Sequence, residues 1–107
     1  MRLIYHLVPR STWEAAPPGA YGVASLENEG FIHCSNGEQV ARSANKFYTE
    51  ESDMLLLAID PARLVSELRD EEGRPGELFP HIYGPINRDA IVDVIRLQRG
   101  SDGKWQF

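Results

Sequence analysis

Residues 30–36 read "GFIHCSN" and residues 79–85 read "FPHIYGP", and each sets a histidine among apolar side chains. Both stretches have the length and composition of strands. Side chains alternate along a strand, so Phe31, His33 and Ser35 share one face while Ile32 and Cys34 share the other. The same rule joins His81 with Tyr83 and sets Ile82 and Gly84 opposite. His6, in "LIYHLV" (3–8), shares a face with Ile4 and Val8, so all three histidines of the chain fall in expected strands. A strand over 3–8 stops at Pro9, which has no N–H to donate to a ladder.

The remaining elements follow from the same kind of signal. Ser11 or Thr12 can cap a short helix through "TWEAA", ended by "PPGAYG" (17–22). Ser25 opens "SLENEG", a brief helix with an imperfect capping box, closed by Gly30. Asn36 is a good cap for a helix over "GEQVARSANKFY" (37–48), whose apolar positions Val40, Ala41, Ala44, Phe47 and Tyr48 repeat at helical spacing. "MLLLAID" (54–60) is a continuous apolar run, which reads as a central covered strand. A strand over "LVSELRD" (64–70), an exposed turn at "EEGRPGE", the strand "LFPHIYG" and a last strand "IVDVIRLQ" (91–98) complete the chain. The helices fall mainly in the first half and no regular βαβ alternation occurs. The expected architecture is one α+β domain over residues 1–107, built on antiparallel and split sheets.

Composition excludes several function classes. The 107 residues carry 42% hydrophobic and 25% charged side chains, ordinary for a globular chain. Lysine plus arginine count 11 against 16 acidic residues, a net charge of −5, and no basic run appears. Extended nucleic acid, which needs phosphate-neutralising cations, is therefore not an expected partner. No segment approaches the roughly 20 apolar residues of a membrane span, and "MRLIYHLVPRS" is too short and polar for a secretory leader. With Cys34 the only cysteine, no intrachain disulfide can form, and the expected location is cytoplasmic.

Three chemistries compete for the histidines. Alternation turns Cys34 inward and His33 outward, so Cys34 reads as a small buried hydrophobe and not as the nucleophile of a Cys-His pair. Metal ligands close in sequence, as in HxxxH or CxxC, are missing, so no metal is expected. No GxGxxG or GxxxxGK[ST] phosphate loop occurs. There remain a cleft lined by His6, His33, Ser35, His81 and Tyr83, and the plain alternative of buried, hydrogen-bonded core histidines. Trp13, Tyr21, Phe47 and Tyr83 can supply a stacking wall for a planar ring.

The string "IYH…W…GAYG…SL…EGFIHCS…VARSANKFY…LLLAID…FPHIYGP" resembles a bacterial family catalogued as domain of unknown function 952, from His6 to about Val92. That family is similar in fold to ADP-ribosyltransferases. The resemblance implies a cleft for NAD between two small sheets. It implies His6 as the residue that anchors the nicotinamide ribose, with His33 and Ser35 on the second strand. Ser35 would hydrogen-bond the carboxamide or ribose, Tyr83 or Trp13 would stack on the ring, and His33 or His81 would act as acid/base or contact phosphate.

The third motif departs from the transferring members. "FPHIYGP" has no glutamate within the strand, and Glu71, Glu72 or Glu77 would have to approach from the preceding segment. Asn45 is at most a supporting residue. Two functions follow as expectations: an NAD-using transferase, or a non-catalytic module that binds a nucleotide or other small ligand in the same cleft.

Overall fold

Six consecutive buried residues, Met54–Ile59, form the strand around which the chain is organised. The computed structural model describes residues 2–107. In chain order the regular elements are β1 (Ile4–Pro9), α1 (Arg10–Ala15), α2 (Ala24–Glu29), β2 (Ile32–His33), α3 (Val40–Phe47) and β3 (Met54–Ile59). Then come β4 (Glu67–Arg74), β5 (Glu77–Tyr83), β6 (Ile91–Arg96), β7 (Gln98–Arg99) and β8 (Trp105–Gln106). Short 3-10 turns join several of them. The architecture is α+β, with antiparallel sheets and short helices.

The first sheet has the order β1-β3-β6 and the second β2-β5-β4, with a small β7-β8 hairpin beside them. β3 is central and buried on both faces, which explains its unbroken apolar run. One face contributes Leu55, Leu57 and Ile59 to a core shared with Ile4 and Val8 of β1 and with Ile32, Cys34 and Ile82 of the second sheet. The other face contributes Met54 and Leu56 to a cluster with Val40 and Ala44 of α3 and with Leu97 and Trp105. Each fully buried aliphatic side chain in these layers contributes about 1.5–3 kcal/mol.

The two sheets meet along β1 and the chain after β2. Tyr5 and Ser35 exchange backbone hydrogen bonds at 2.9 and 2.7 Å. Among the described residues this is the one backbone bridge between β1 and the β2 segment; beyond it they splay apart, leaving a split between the sheets. The strand over Ile32–His33 is shorter than "FIHCS", because Cys34 donates to Pro80 O while Ser35 has already turned to Tyr5.

Several expectations change in detail. β4 runs to Arg74, so "EEGR" belongs to the ladder and the turn narrows to Pro75 and Gly76. The reason is packing: a Cβ on Gly73 would lie 2.5 Å from Phe79 Cδ1, so the bare glycine lets the ring lie over the strand. Phe47, expected on the buried stripe of α3, is 67% exposed. Val92 and Val94 of β6 are exposed, while Ile91 packs against the core between the sheets and Ile95 against the α3 cluster on the other face, a register shift at Ala58/Ile59 lying between their partners. Residues 98–106 form the β7-β8 hairpin, which the sequence pattern did not announce. Asn45 explains how it is held: its side chain accepts from Trp105 N–H at 2.8 Å and donates to Trp105 O at 3.0 Å.

Candidate functional site

The register of the second sheet decides which side chains meet. β2 pairs with β5 so that Ile32 opposes Ile82 and His33 opposes His81. Ile32 and Ile82 point into the core, which turns both imidazoles to the opposite face, as alternation requires. Their ring centroids are 5.4 Å apart. Phe31 lies over both, stacked on His81 at 4.1 Å and 21° and edge-on to His33 at 4.8 Å.

Each of these imidazoles has a carboxylate. On β4, Arg69 opposes His81 and Glu71 lies two residues along the same face. Glu71 Oε1 accepts from His81 Nδ1 at 2.9 Å and from the Tyr83 hydroxyl. The Tyr83 bond, then the His81 bond, hold the Glu71 carboxyl below the usual carboxylate range. The same bond to Glu71, followed by desolvation, pushes the Tyr83 phenol up. Arg69 covers Tyr83, its guanidinium 4.2 Å from the ring centroid, and is itself forked onto Glu67 at 3.0 Å. His33 Nε2 donates to Glu29 Oε2, at the end of α2, at 3.0 Å.

His6 is different. It projects from β1 across the split, and its Nδ1 donates to His33 O at 2.7 Å. Burial lowers its pKa below the usual 6.5, so the ring is neutral with the proton on Nδ1, and Nε2 presents a lone pair. Among the described residues, Tyr21 Oη is the one sealed side-chain polar atom without a partner. The Nε2 atoms of His6 and His81, equally without protein partners, therefore touch solvent.

A cleft of about 760 Å³ occupies the split between the sheets and the space toward α3. That volume falls within the range of small-molecule sites, roughly 300–1,000 Å³. His6, His33, Ser35 and His81 all border it, as do Phe31, Tyr21 and the rim residues Arg42, Lys46, Glu72 and Arg74. Arg42 and Arg74 flank Glu77, Arg74 at 3.7 Å, and the Arg42 bond lowers the Glu77 carboxyl pKa. The rim thus sets three cations, Arg42, Lys46 and Arg74, among the carboxylates of Glu72 and Glu77.

Two residues expected at the site stand back from it. Tyr83 supports His81 through Glu71 and does not border the cleft. Trp13 packs edge-on to Tyr21 at 5.1 Å, with the Arg88 guanidinium 4.5 Å from its own ring, and belongs to the wall behind. Cys34 is 4% exposed and its thiol pKa is pushed up by burial, in keeping with a small core residue. No group of three or more metal-ligating side chains converges among the described residues. Nor is any helix there long and apolar enough to cross a membrane.

Sequence reasoning missed Glu29, which no motif marks, and the basic pair Arg42 and Lys46. Their spacing of four on α3 was a readable signal that both cations share one helix face.

Residues 7–94 match the family described as "Protein of unknown function (DUF952)". The chain belongs to that family. A crystal structure of protein CC0527 from Caulobacter crescentus is 34% identical, with a TM-score of 0.84, covering 97% of this chain and 93% of that one. The solution NMR structure of CC0527 is also 34% identical, with a TM-score of 0.80, covering 99% and 93%. No curated protein matches the chain.

Proposed function

We propose that this DUF952 protein binds a nucleotide of the NAD type in the split between its sheets and transfers the ADP-ribose portion to a hydroxyl or water. The observation that carries the reading is the Glu71–His81 pair. The third motif lacks a carboxylate in its own strand, and β4 supplies one in hydrogen-bond contact with His81 Nδ1 at 2.9 Å. With Nδ1–H held by Glu71, Nε2 is the free basic atom of a ring that borders the cleft.

The chemistry balances on these groups. The acceptor oxygen bonds to the anomeric carbon of the nicotinamide ribose as the C–N bond to nicotinamide breaks. The bonding pair returns to the pyridine nitrogen and neutralises its positive charge, and the acceptor's proton passes to His81 Nε2. Glu71 stabilises the imidazolium that results, and Tyr83 orients Glu71. Phe31 offers a flat wall beside the ring, and Arg42, Lys46 and Arg74 supply positive potential for the diphosphate. The likeness to ADP-ribosyltransferases that suggests NAD rests on the sequence resemblance.

A second reading is a non-catalytic nucleotide-binding module. It is favoured by Glu71 itself, which uses Oε1 on His81 and Tyr83 and does not border the cleft.

One experiment separates the two. NAD and ADP-ribose are expected to raise the Tm of the wild type, and nicotinamide release from NAD is followed by chromatography. Turnover that falls about 100-fold or more in Glu71→Gln, with the Tm shift retained, supports the transferase. A Tm shift without release in the wild type supports the binding module. No shift with either nucleotide at millimolar concentration refutes both.

A further inference from the structure

We infer that His33 and His81 form an acid–base pair that opens a small cyclic phosphodiester, of the 2′,3′-cyclic nucleotide type, with water as the attacking group. This activity uses the same cleft as the transferase reading but does not rest on NAD.

Transfer of ADP-ribose uses one imidazole. Nicotinamide departs with its bonding pair as a neutral ring and needs no proton, so His81 with Glu71 suffices for it. The protein holds a second pair of the same kind, for His33 Nε2 lies 3.0 Å from Glu29 Oε2. Each imidazole thus has one nitrogen held by a carboxylate. The other nitrogen, Nδ1 of His33 and Nε2 of His81, has no protein partner among the described residues. A second proton donor is required where the leaving group is an alkoxide, which departs poorly without a proton.

Strand register makes the two rings a pair. His33 and His81 are Cα partners across β2 and β5, their centroids are 5.4 Å apart with the planes at 76°, and both border the cleft. Phe31 fixes that arrangement, stacked on His81 at 4.1 Å and edge-on to His33 at 4.8 Å. With hydrogen bonds of about 2.6–3.2 Å, rings so spaced are within reach of two oxygens of one tetrahedral group. A phosphodiester also suits the rim, where Lys46 lies 5.2 Å from the Phe47 ring centroid and forms no ion pair among the described residues. The net charge of −5 and a cleft of about 760 Å³ favour a single nucleotide over a polynucleotide.

Exposure divides the roles. The His33 side chain is 55% exposed and exchanges protons with water, whereas that of His81 is 7% exposed. Water attacks phosphorus and gives its proton to His81 Nε2. The P–O bond to the leaving ribose oxygen breaks, its electron pair goes to that oxygen, and His33 Nδ1–H supplies the proton. Glu29 holds the His33 imidazolium before the step and Glu71 the His81 imidazolium after it. Exchange with solvent restores both rings, and the product is one nucleoside phosphomonoester.

2′,3′-Cyclic AMP is incubated with the wild type and with His33→Gln over a range of pH, and the products are separated by chromatography. The wild type is expected to yield a single AMP isomer with a bell-shaped pH profile. His33→Gln, at a half-exposed position, is expected to keep its Tm and to lose about 100-fold or more of the rate. It is also expected to lose the alkaline limb of the bell, which reports deprotonation of the acid.

No hydrolysis by the wild type, or a wild-type profile with one limb, overturns the inference without need of a variant. So does a smaller loss in His33→Gln, or an alkaline limb that survives in it. The two activities fail separately. A protein that opens the cyclic ester and leaves NAD intact loses the transferase and keeps the acid–base pair; one that releases nicotinamide and leaves the ester closed loses only the pair.

Discussion

Replacing His6 by asparagine is expected to remove a pH dependence that the buried neutral imidazole imposes on stability. The side chain is 8% exposed, and desolvation holds its pKa below 6.5 in the folded protein. In the unfolded chain the same ring titrates near 6.5. Below that pH the unfolded chain binds a proton that the native protein refuses, so stability falls as pH falls; above about pH 7.5 both states are neutral and the contribution vanishes. The limiting slope for one proton is about 1.4 kcal/mol per pH unit. Integrated from pH 8 to 5.5, a native state that takes up no proton loses about 1.4 kcal/mol, or roughly 6 °C in Tm for a chain of this size.

Asparagine retains an N–H for the His33 carbonyl but cannot be protonated. His6→Asn is therefore less stable at pH 8, through lost packing, yet loses less on acidification. The gap between the two proteins narrows between pH 8 and 5.5, by at most about 1.4 kcal/mol. Urea denaturation followed by tryptophan fluorescence at half-unit intervals measures it. The other histidines are common to both proteins and cancel in the difference. Glu67, Glu71 and Glu77, whose pKa values are lowered, titrate below this window. Parallel stability curves for the two proteins over pH 5.5–8 refute the argument that burial keeps His6 neutral.

Two further outcomes are expected. Cys34, buried and with its thiol pKa raised, resists a thiol-specific reagent at pH 8 in the native protein and reacts fully in urea; stoichiometric native labelling contradicts its placement. Gly84 has φ +150°, and a Cβ there would lie 2.4 Å from Ser66 Oγ, which donates to Pro85 O at 2.6 Å. Gly84→Ala is expected to cost about 1–3 kcal/mol by thermal unfolding, and an unchanged Tm counts against the strain at this strand exit.

Much of the local structure was legible because its causes are local. The apolar run at 54–59 marks a strand covered on both faces, and Gly30 closes α2 with φ +87°. Asn36 opens the turn into α3, its N–H donating to Gln39 Oε1 at 2.8 Å. Alternation correctly sent Cys34 inward and turned His33 and His81 outward together. Where composition misled, packing across the sheet prevailed, as at Gly73, where an aromatic ring from the neighbouring strand makes a ladder of a polar "EEGR".

The site divides along the same line. Period-two alternation needs only the chain's own stereochemistry, so residue order alone determined that His33 and His81 each share a face with polar and aromatic neighbours, and that Cys34 could not join them. Which carboxylate serves which imidazole depends on register between strands far apart in sequence. The β4-β5 ladder brings Glu71 to His81, and the end of α2 brings Glu29 to His33. The bridge at Tyr5 and Ser35, beyond which β1 and β2 separate, opens the split in which His6 is buried neutral while Tyr21 keeps an unsatisfied hydroxyl beside it. These were decided only by tertiary structure, because hydrogen bonding between distant segments and the loss of water around a side chain have no signature in the local order of residues.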